Sequence, residues 1–135
     1  METTLAIIKS RTFKAYPSIL PKIMEVVDNA GLAAPVWHMK EIPVNKARIF
    51  YNHLTHLPNY DEIVNSLSES VCLAGSIEGE GAIQKWRKII GPTDPSEREP
   101  FQLRALYGFE NPHNGFHGSD SEASFKREWA ILFND

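Results

Sequence analysis

The sequence is poor in cysteine, with Cys72 as its single thiol. One cysteine excludes an internal disulfide and a cysteine-based zinc site. The histidine pairs His53/His56 and His113/His117 have no third ligand nearby in the sequence, so no zinc site is predicted from them. A lone thiol is typical of a reducing compartment, and we expect an intracellular protein, either cytoplasmic or mitochondrial. The first ten residues predict neither a signal peptide nor a membrane span.

The chain also lacks an excess of positive charge. Lys and Arg number 14 against 17 Asp and Glu, and the net charge of −3 offers no general surface for nucleic acid or for an anionic membrane. A phosphate-binding site must therefore be formed by a few basic residues gathered at one place rather than by a generally positive surface. The hydrophobic fraction of 42% and the charged fraction of 23% are ordinary for a globular protein. The length of 135 residues favours a single domain over residues 1–135.

The two common phosphate-binding loops are absent. A Walker-type loop requires a lysine and a hydroxyl residue after its second glycine, and the segment from Gly75 to Gly81 has neither in place. The dinucleotide-binding fingerprint requires a third glycine at fixed spacing, which Gly79 and Gly81 lack. Neither of these nucleotide-binding folds is therefore predicted.

Strand-like and helix-like segments alternate along the chain. Short apolar runs predict strands at 5–8, 34–42 and 71–77, and a brief fourth strand is predicted at 116–118. Apolar residues at helical spacing predict helices at 17–30, 46–54, 60–67 and 82–90, a helical turn at 101–106, and a last helix after residue 119. This order indicates an α+β protein with helices on one face of a small, mostly antiparallel sheet.

Lys9 follows directly after the first predicted strand, where a buried apolar run delivers a cation at its end. A lysine in this position is either a solvent-facing strand terminus or a ligand for a phosphate group. The second interpretation requires other parts of the chain to contribute to a phosphate site.

The stretch at 114–120 carries the most distinctive chemistry, because His117 lies there between an aromatic residue and a glycine. Ser119 and Glu122 form a capping-box pattern, so we expect a helix to begin at Ser119 and to direct free N–H groups towards the histidine. Glu128 lies further along this helix, where a carboxylate can bond one ring nitrogen and leave the other free to act as a nucleophile. The spacing alone equally fits an ordinary turn histidine and a solvated glutamate.

The same stretch resembles the Asn-x-x-His-Gly-Ser-Asp signature of the nucleoside diphosphate kinases, and the resemblance extends over essentially the whole chain. Matches in the same order and at similar spacing are Lys9, Tyr51, Arg87, Thr93, Arg104, Asn114 and Glu128. The segments at 83–93 and 104–108 most resemble the divergent group II branch of that family.

The resemblance implies a ferredoxin-like βαββαβ sandwich with a four-stranded antiparallel sheet. It implies ping-pong transfer of a γ-phosphoryl group from a nucleoside triphosphate to a nucleoside diphosphate, with His117 as the phosphoacceptor and Glu128 orienting its ring. The implied nucleotide-binding residues are Lys9, Tyr51, Asn59, Arg87, Thr93, Arg104 and Asn114. Mg²⁺ is expected to bind through the nucleotide phosphates rather than at a metal site of the chain, and the protein is expected to form a homo-oligomer.

Two departures from the family pattern concern the phosphate end. Ser10 and Arg11 replace a Pro-Asp pair after Lys9, which predicts a more flexible segment there. His53 stands where the family commonly has a glutamate that steadies the arginine corresponding to Arg104.

A third departure concerns the base. Asn59, or Tyr60 if the correspondence shifts by one residue, stands where the family has an aromatic residue that stacks on the base, and Asn111 falls near the opposite wall. Loss of base stacking costs about 1–3 kcal/mol, so we expect a high nucleotide KM. The alternative function is a nucleotide-binding or protein-interaction module of the same fold with little or no turnover.

Overall fold

The computed structural model describes residues 1–134, which contain one four-stranded sheet with helices packed on it. The strands lie in the order β2-β3-β1-β4, and all neighbouring pairs are antiparallel. The strands are β1 (Glu2–Ile8), β2 (Ala33–Lys40), β3 (Cys72–Gly79) and β4 (Phe116–Gly118). The helices are α1 (Ser10–Ala15), α2 (Leu20–Asn29), α3 (Val44–Phe50), α4 (Tyr60–Ser68), α5 (Ala82–Ile90), α6 (Leu103–Tyr107) and α7 (Glu122–Phe133). The predicted α+β class and antiparallel sheet are confirmed.

Helices cover both faces of the sheet rather than the single face that was predicted. On β1, Ala6 and Ile8 belong to one buried cluster with residues of α2 and α5. Leu5 and Ile7 belong to a second cluster with residues of α3, α4 and α7. A strand buried on both faces carries a continuous apolar run instead of alternating polar and apolar residues, as β1 does.

Most predicted elements are present with shifted ends. Helix α2 contains Pro21 in its first turn and ends before Gly31, which has a φ of 75°, and α5 has the predicted bounds. Helix α1 was not predicted, because six residues give little periodic signal. It replaces the flexible segment expected after Lys9, and the hydroxyl of its buried Thr12 donates to the Tyr107 carbonyl at 2.8 Å.

The predicted start of the last helix at Ser119 was wrong. Helix α7 begins at Glu122, and its N-cap is Ser121, whose Oγ accepts a hydrogen bond from the Ser124 amide at 3.0 Å. Ser119 is fully buried and follows β4 directly, and it hydrogen-bonds to residues of β1. Its amide donates to Thr4 Oγ1 at 3.0 Å, and its Oγ accepts from the Leu5 amide at 3.2 Å.

None of the helices within residues 1–134 is both long enough and apolar enough to cross a membrane. The fold instead places the C-terminal end of β1, the short strand β4 and the turn between α3 and α4 around a common opening.

Candidate active site

All nine catalytic and nucleotide-binding residues predicted from the sequence line one cleft of about 490 Å³. They are Lys9, Tyr51, Asn59, Arg87, Thr93, Arg104, Asn114, His117 and Glu128. The sheet contributes the floor through β4, and the cleft walls come from α5, α6, α7 and the segment joining α3 to α4. The fold therefore brings together residues that are far apart in the sequence.

His117 lies on β4 with both its ring and its backbone held. Its Nε2 lies 2.8 Å from Glu128 Oε1. A carboxylate can only accept, so Nε2 carries the proton and Nδ1 has a free lone pair. The Phe50 ring packs edge-on against the imidazole with 5.0 Å between ring centroids. Trp86 Nε1 donates to the His117 carbonyl at 2.9 Å. This arrangement favours the tautomer in which the Nδ1 lone pair is free.

The Glu128 carboxylate is held by Ser119 as well as by His117. Ser119 Oγ donates to the same Oε1 atom at 2.8 Å, and the Glu128 residue is only 8% exposed. The serine is in turn bonded to β1 through its amide and its Oγ. Sequence reasoning missed this role, because a serine before a helix also fits the pattern of an N-cap.

Arg104 is held by backbone carbonyls in place of the carboxylate that the sequence lacks. Its Nη1 donates to the Gly91 carbonyl at 2.7 Å, and its Nη2 donates to the Phe116 carbonyl at 2.8 Å. Its Nε is buried and has no hydrogen-bond partner among residues 1–134. Burial, together with the positive charges of Arg98 and Arg87, lowers the Arg104 pKa to about 10. A phosphate at this guanidinium would supply the negative charge that favours its protonated form against burial and the neighbouring arginines.

Lys9 is buried rather than solvent-facing. Its Nζ donates to the Pro112 carbonyl at 3.2 Å and approaches Ser66 Oγ at 3.5 Å, while its amide donates to the Gly115 carbonyl at 2.8 Å. Burial is the main cause that lowers the Lys9 pKa to about 7, and the charge of Arg104 adds to it. These neutral partners leave the ammonium without a compensating anion, which is what a phosphate ligand provides.

Arg98 and Asn111 bind the loop that carries Thr93. Arg98 Nε donates to the Pro92 carbonyl at 2.9 Å, and its Nη2 donates to the Thr93 carbonyl at 2.8 Å. Asn111 Nδ2 donates to the same Thr93 carbonyl at 2.9 Å. Sequence analysis missed Arg98, which lies in a polar stretch with no local signal of a structural role.

The outer end of the cleft is open and less constrained. Asn59 lines it and is exposed, and its side chain does not cap α4. Tyr60 faces elsewhere, since its hydroxyl donates to the Arg48 carbonyl at 2.9 Å, so Asn59 rather than Tyr60 lines the cleft. The apolar residues at this end are Leu54, Leu57 and Ile63. The outer end therefore presents these aliphatic side chains and the Asn59 amide, where the family pattern has an aromatic ring.

A histidine held by a carboxylate in a cleft lined by lysine and arginine defines a site suited to phosphoryl transfer. Residues 2–135 match the family model described as nucleoside diphosphate kinase. The chain is 33% identical over 134 residues to a nucleoside diphosphate kinase of Haemophilus ducreyi, an alignment that covers 99% of this chain and 96% of that relative. A relative with the same description from Deinococcus radiodurans is 31% identical over 135 residues, covering 100% of this chain and 96% of that relative.

Solved structures agree with these relatives. A crystal structure of the Aquifex aeolicus nucleoside diphosphate kinase matches with a TM-score of 0.87 at 32% identity, covering 98% of this chain and 95% of that one. A halophilic nucleoside diphosphate kinase from Halobacterium salinarum, in complex with CDP, gives a TM-score of 0.87 at 26% identity, covering 99% and 88%. The chain belongs to the nucleoside diphosphate kinase family, and its activity is phosphoryl transfer between nucleotides.

Proposed function

We propose that this kinase works in two half-reactions through a phosphohistidine formed at Nδ1 of His117. The observation that carries this proposal is the 2.8 Å contact between His117 Nε2 and Glu128 Oε1. It supports Nδ1 as the attacking atom, because the proton on Nε2 leaves the lone pair on the other nitrogen.

In the first half-reaction, Nδ1 attacks the γ-phosphorus of a nucleoside triphosphate. The bond between that phosphorus and the bridging oxygen breaks, and the nucleoside diphosphate leaves with the electron pair. The ring becomes positively charged, and the Glu128 carboxylate at Nε2 stabilises that charge. In the second half-reaction, a terminal oxygen of another diphosphate attacks the same phosphorus and the N–P bond breaks, which restores neutral His117.

The cations of the cleft compensate the phosphate oxygens. Lys9 and Arg104 are buried or nearly so and have no anionic hydrogen-bond partner among residues 1–134, while Arg87 reaches the cleft from α5. Phosphoryl transfer depends mainly on in-line positioning and on such compensation. We assign Tyr51 and Thr93 to the same phosphate-binding set.

Asn114 is proposed to bind the nucleotide sugar. Its side chain is buried in the cleft, and Oδ1 has no hydrogen-bond partner among residues 1–134. A buried acceptor without a donor costs free energy, and a ribose hydroxyl supplies that donor.

Mg²⁺ is proposed to enter with the nucleotide. Residues 1–134 contain no group of three or more His, Cys, Asp or Glu side chains placed to hold a metal ion, and Asp120 contributes one carboxylate to the cleft. That donor set fits Mg²⁺, which commonly binds substrate phosphates and water with one or two carboxylates. When bound, the ion neutralises charge on the phosphate oxygens.

The substrates are proposed to be nucleoside di- and triphosphates, in line with the CDP bound to the Halobacterium salinarum enzyme. We further propose a homo-oligomer, as expected from the family.

The test is labelling of His117 by γ-labelled ATP with Mg²⁺. We expect acid-labile label on the wild type and on His56→Ala, a control at an exposed histidine outside the cleft, and none on His117→Ala. Equal label on His117→Ala, or none on the wild type, would refute the phosphohistidine. Calorimetric binding of nucleotide without any transfer would support the alternative of a binding module.

A further inference from the structure

Arg127, on the outer surface of α7, bonds the end of α3. Its Nη2 donates to the Ile49 carbonyl at 2.6 Å and to Asn52 Oδ1 at 3.0 Å. Its Nη1 donates to the Phe50 carbonyl at 3.3 Å. The last four carbonyls of a helix lack partners within the helix, and a cation there also interacts favourably with the helix dipole. One guanidinium therefore bonds two carbonyls at the C-terminal end of α3, those of Ile49 and Phe50.

The segment held in this way forms one wall of the active site. The Phe50 ring packs against the ring of His117, and Tyr51 is buried and lines the cleft. The Arg127 contacts reach Ile49, Phe50 and Asn52, so they bracket Tyr51 from both sides.

Few other hydrogen bonds hold this segment. Helix α3 has seven residues, and such a short helix has little stability of its own. The Tyr51 amide donates to the Ala47 carbonyl at 3.0 Å, and the Tyr60 hydroxyl donates to the Arg48 carbonyl at 2.9 Å. The turn that follows is largely exposed. The Leu54 amide also donates to the Tyr51 carbonyl at 2.9 Å, and Phe50 and Tyr51 pack in a buried cluster. Capping from α7 and α4 adds to these contacts in holding the wall.

Arg127 and Glu128 are consecutive on α7, and each is connected to His117 in a different way. Glu128 bonds the ring directly at Nε2. Arg127 is connected to it indirectly, through the backbone of Phe50, whose ring packs against His117. The two side chains leave α7 in different directions, since Glu128 is buried and Arg127 is exposed.

We propose that Arg127 is a positioning residue of this kinase, which keeps the wall formed by Phe50 and Tyr51 in its nucleotide-binding conformation. Only the kinetic part of this inference rests on the proposed function. Without the guanidinium, the wall occupies its binding conformation for a smaller fraction of the time. Apparent nucleotide affinity falls by that fraction, while the rate at saturation changes little because Glu128 still orients His117.

The experiment compares Arg127→Met, Arg127→Lys and the control Lys126→Met, which alters an exposed neighbour on α7. In Arg127→Met we expect amide exchange at Tyr51 and Leu54 to accelerate about tenfold in the nucleotide-free protein, while exchange in β1 stays unchanged. We expect KM for the triphosphate to rise about three- to tenfold and the single-turnover labelling rate at saturation to fall less than about threefold. Arg127→Lys keeps a cationic donor, so we expect its exchange rates and KM to lie between those of Arg127→Met and the wild type. We expect Lys126→Met to resemble the wild type in both measurements.

Unchanged exchange and KM in Arg127→Met would overturn the proposal, and so would an equal effect of Lys126→Met. Faster exchange throughout the chain would also overturn it, because it indicates general destabilisation rather than positioning of one wall. Exchange is measured without turnover, so it tests Arg127 even if the wild type fails to form phosphohistidine.

Discussion

The two ends of the cleft differ in how firmly their side chains are held. The inner end, formed by Lys9, Arg104, Asn114, His117 and Glu128, is buried or nearly so and is bonded to β1, β4, α5 and α7 or to the loops beside them. The outer end, formed by Leu54, Leu57, Asn59 and Ile63, is more open, and its Asn59 is exposed.

This difference corresponds to two requirements of the proposed function. In-line attack on phosphorus tolerates little displacement of the nucleophile, so the inner end must be preorganised. A base is held mainly by non-directional contact with a flat surface, and such contact can weaken without altering the chemistry. We therefore expect substitutions at the outer end to change nucleotide affinity rather than the transfer step.

The largest expected effect comes from the inner end, in Glu128→Gln. The amide keeps the shape of the side chain but loses the charge that stabilises the imidazolium formed during transfer. We expect the single-turnover labelling rate of His117 to fall about a hundredfold, with nucleotide binding little changed. Glu122→Gln, in the exposed first turn of α7, serves as the control. A wild-type rate in Glu128→Gln would show that this carboxylate does not assist transfer.

A smaller effect of opposite sign is expected at the outer end, in Asn59→Phe. An aromatic ring at this position supplies the missing stack, so we expect nucleotide KM to fall about tenfold with kcat unchanged. Asn59→Leu separates stacking from the mere loss of an amide and should gain much less. If both variants keep the wild-type KM in steady-state assays, the outer end does not determine nucleotide affinity.

The smallest effect is a change in proton binding at Lys9. The Lys9 pKa is about 7 in the free protein and 10.5 for an unperturbed lysine. A phosphate that favours the charged amine therefore causes Lys9 to bind a proton at pH values between about 7 and 10.5. We expect a nucleoside diphosphate to take up close to one proton at pH 8, seen as a dependence of binding heat on buffer ionisation enthalpy. Lys9→Met should abolish this uptake, and a wild type without uptake would contradict the assignment of Lys9 to phosphate.

The lowered Lys9 pKa also affects stability. The unfolded chain holds the lysine proton up to pH 10.5, whereas the folded chain releases it near pH 7. The free energy of unfolding therefore gains a contribution from Lys9 as the pH rises from about 7 towards 10.5, and this contribution is absent at lower pH. Urea unfolding at pH 7 and pH 9, compared between the wild type and Lys9→Met, measures it.

Sequence reasoning succeeded where the signal is local. The helices α2 and α5 follow from apolar spacing, and Pro21 and Gly31 are boundary residues of α2. The family resemblance named nine residues that line one cleft, and their individual roles stay predictions. It failed where a residue has two equally good local roles. Ser119 fits an N-cap by pattern, yet its hydroxyl is used by Leu5 and Glu128 because the sheet brings these residues to it.

The sequence was also silent on support that comes from the backbone or from distant elements. No side chain indicates that the carbonyls of Gly91 and Phe116 replace the missing carboxylate beside Arg104. Likewise, Arg98 and Arg127 form their hydrogen bonds only once the loops and helices have packed. Such contacts depend on tertiary geometry, which residue spacing does not contain.

The double use of Ser119 links catalytic competence to a very small part of the fold. The same hydroxyl accepts a bond from β1 and donates one to the carboxylate that orients His117. Separation of the three-residue strand β4 from β1 therefore also releases Glu128. We expect thermal inactivation to begin with local opening of this short strand, which requires less free energy than global unfolding.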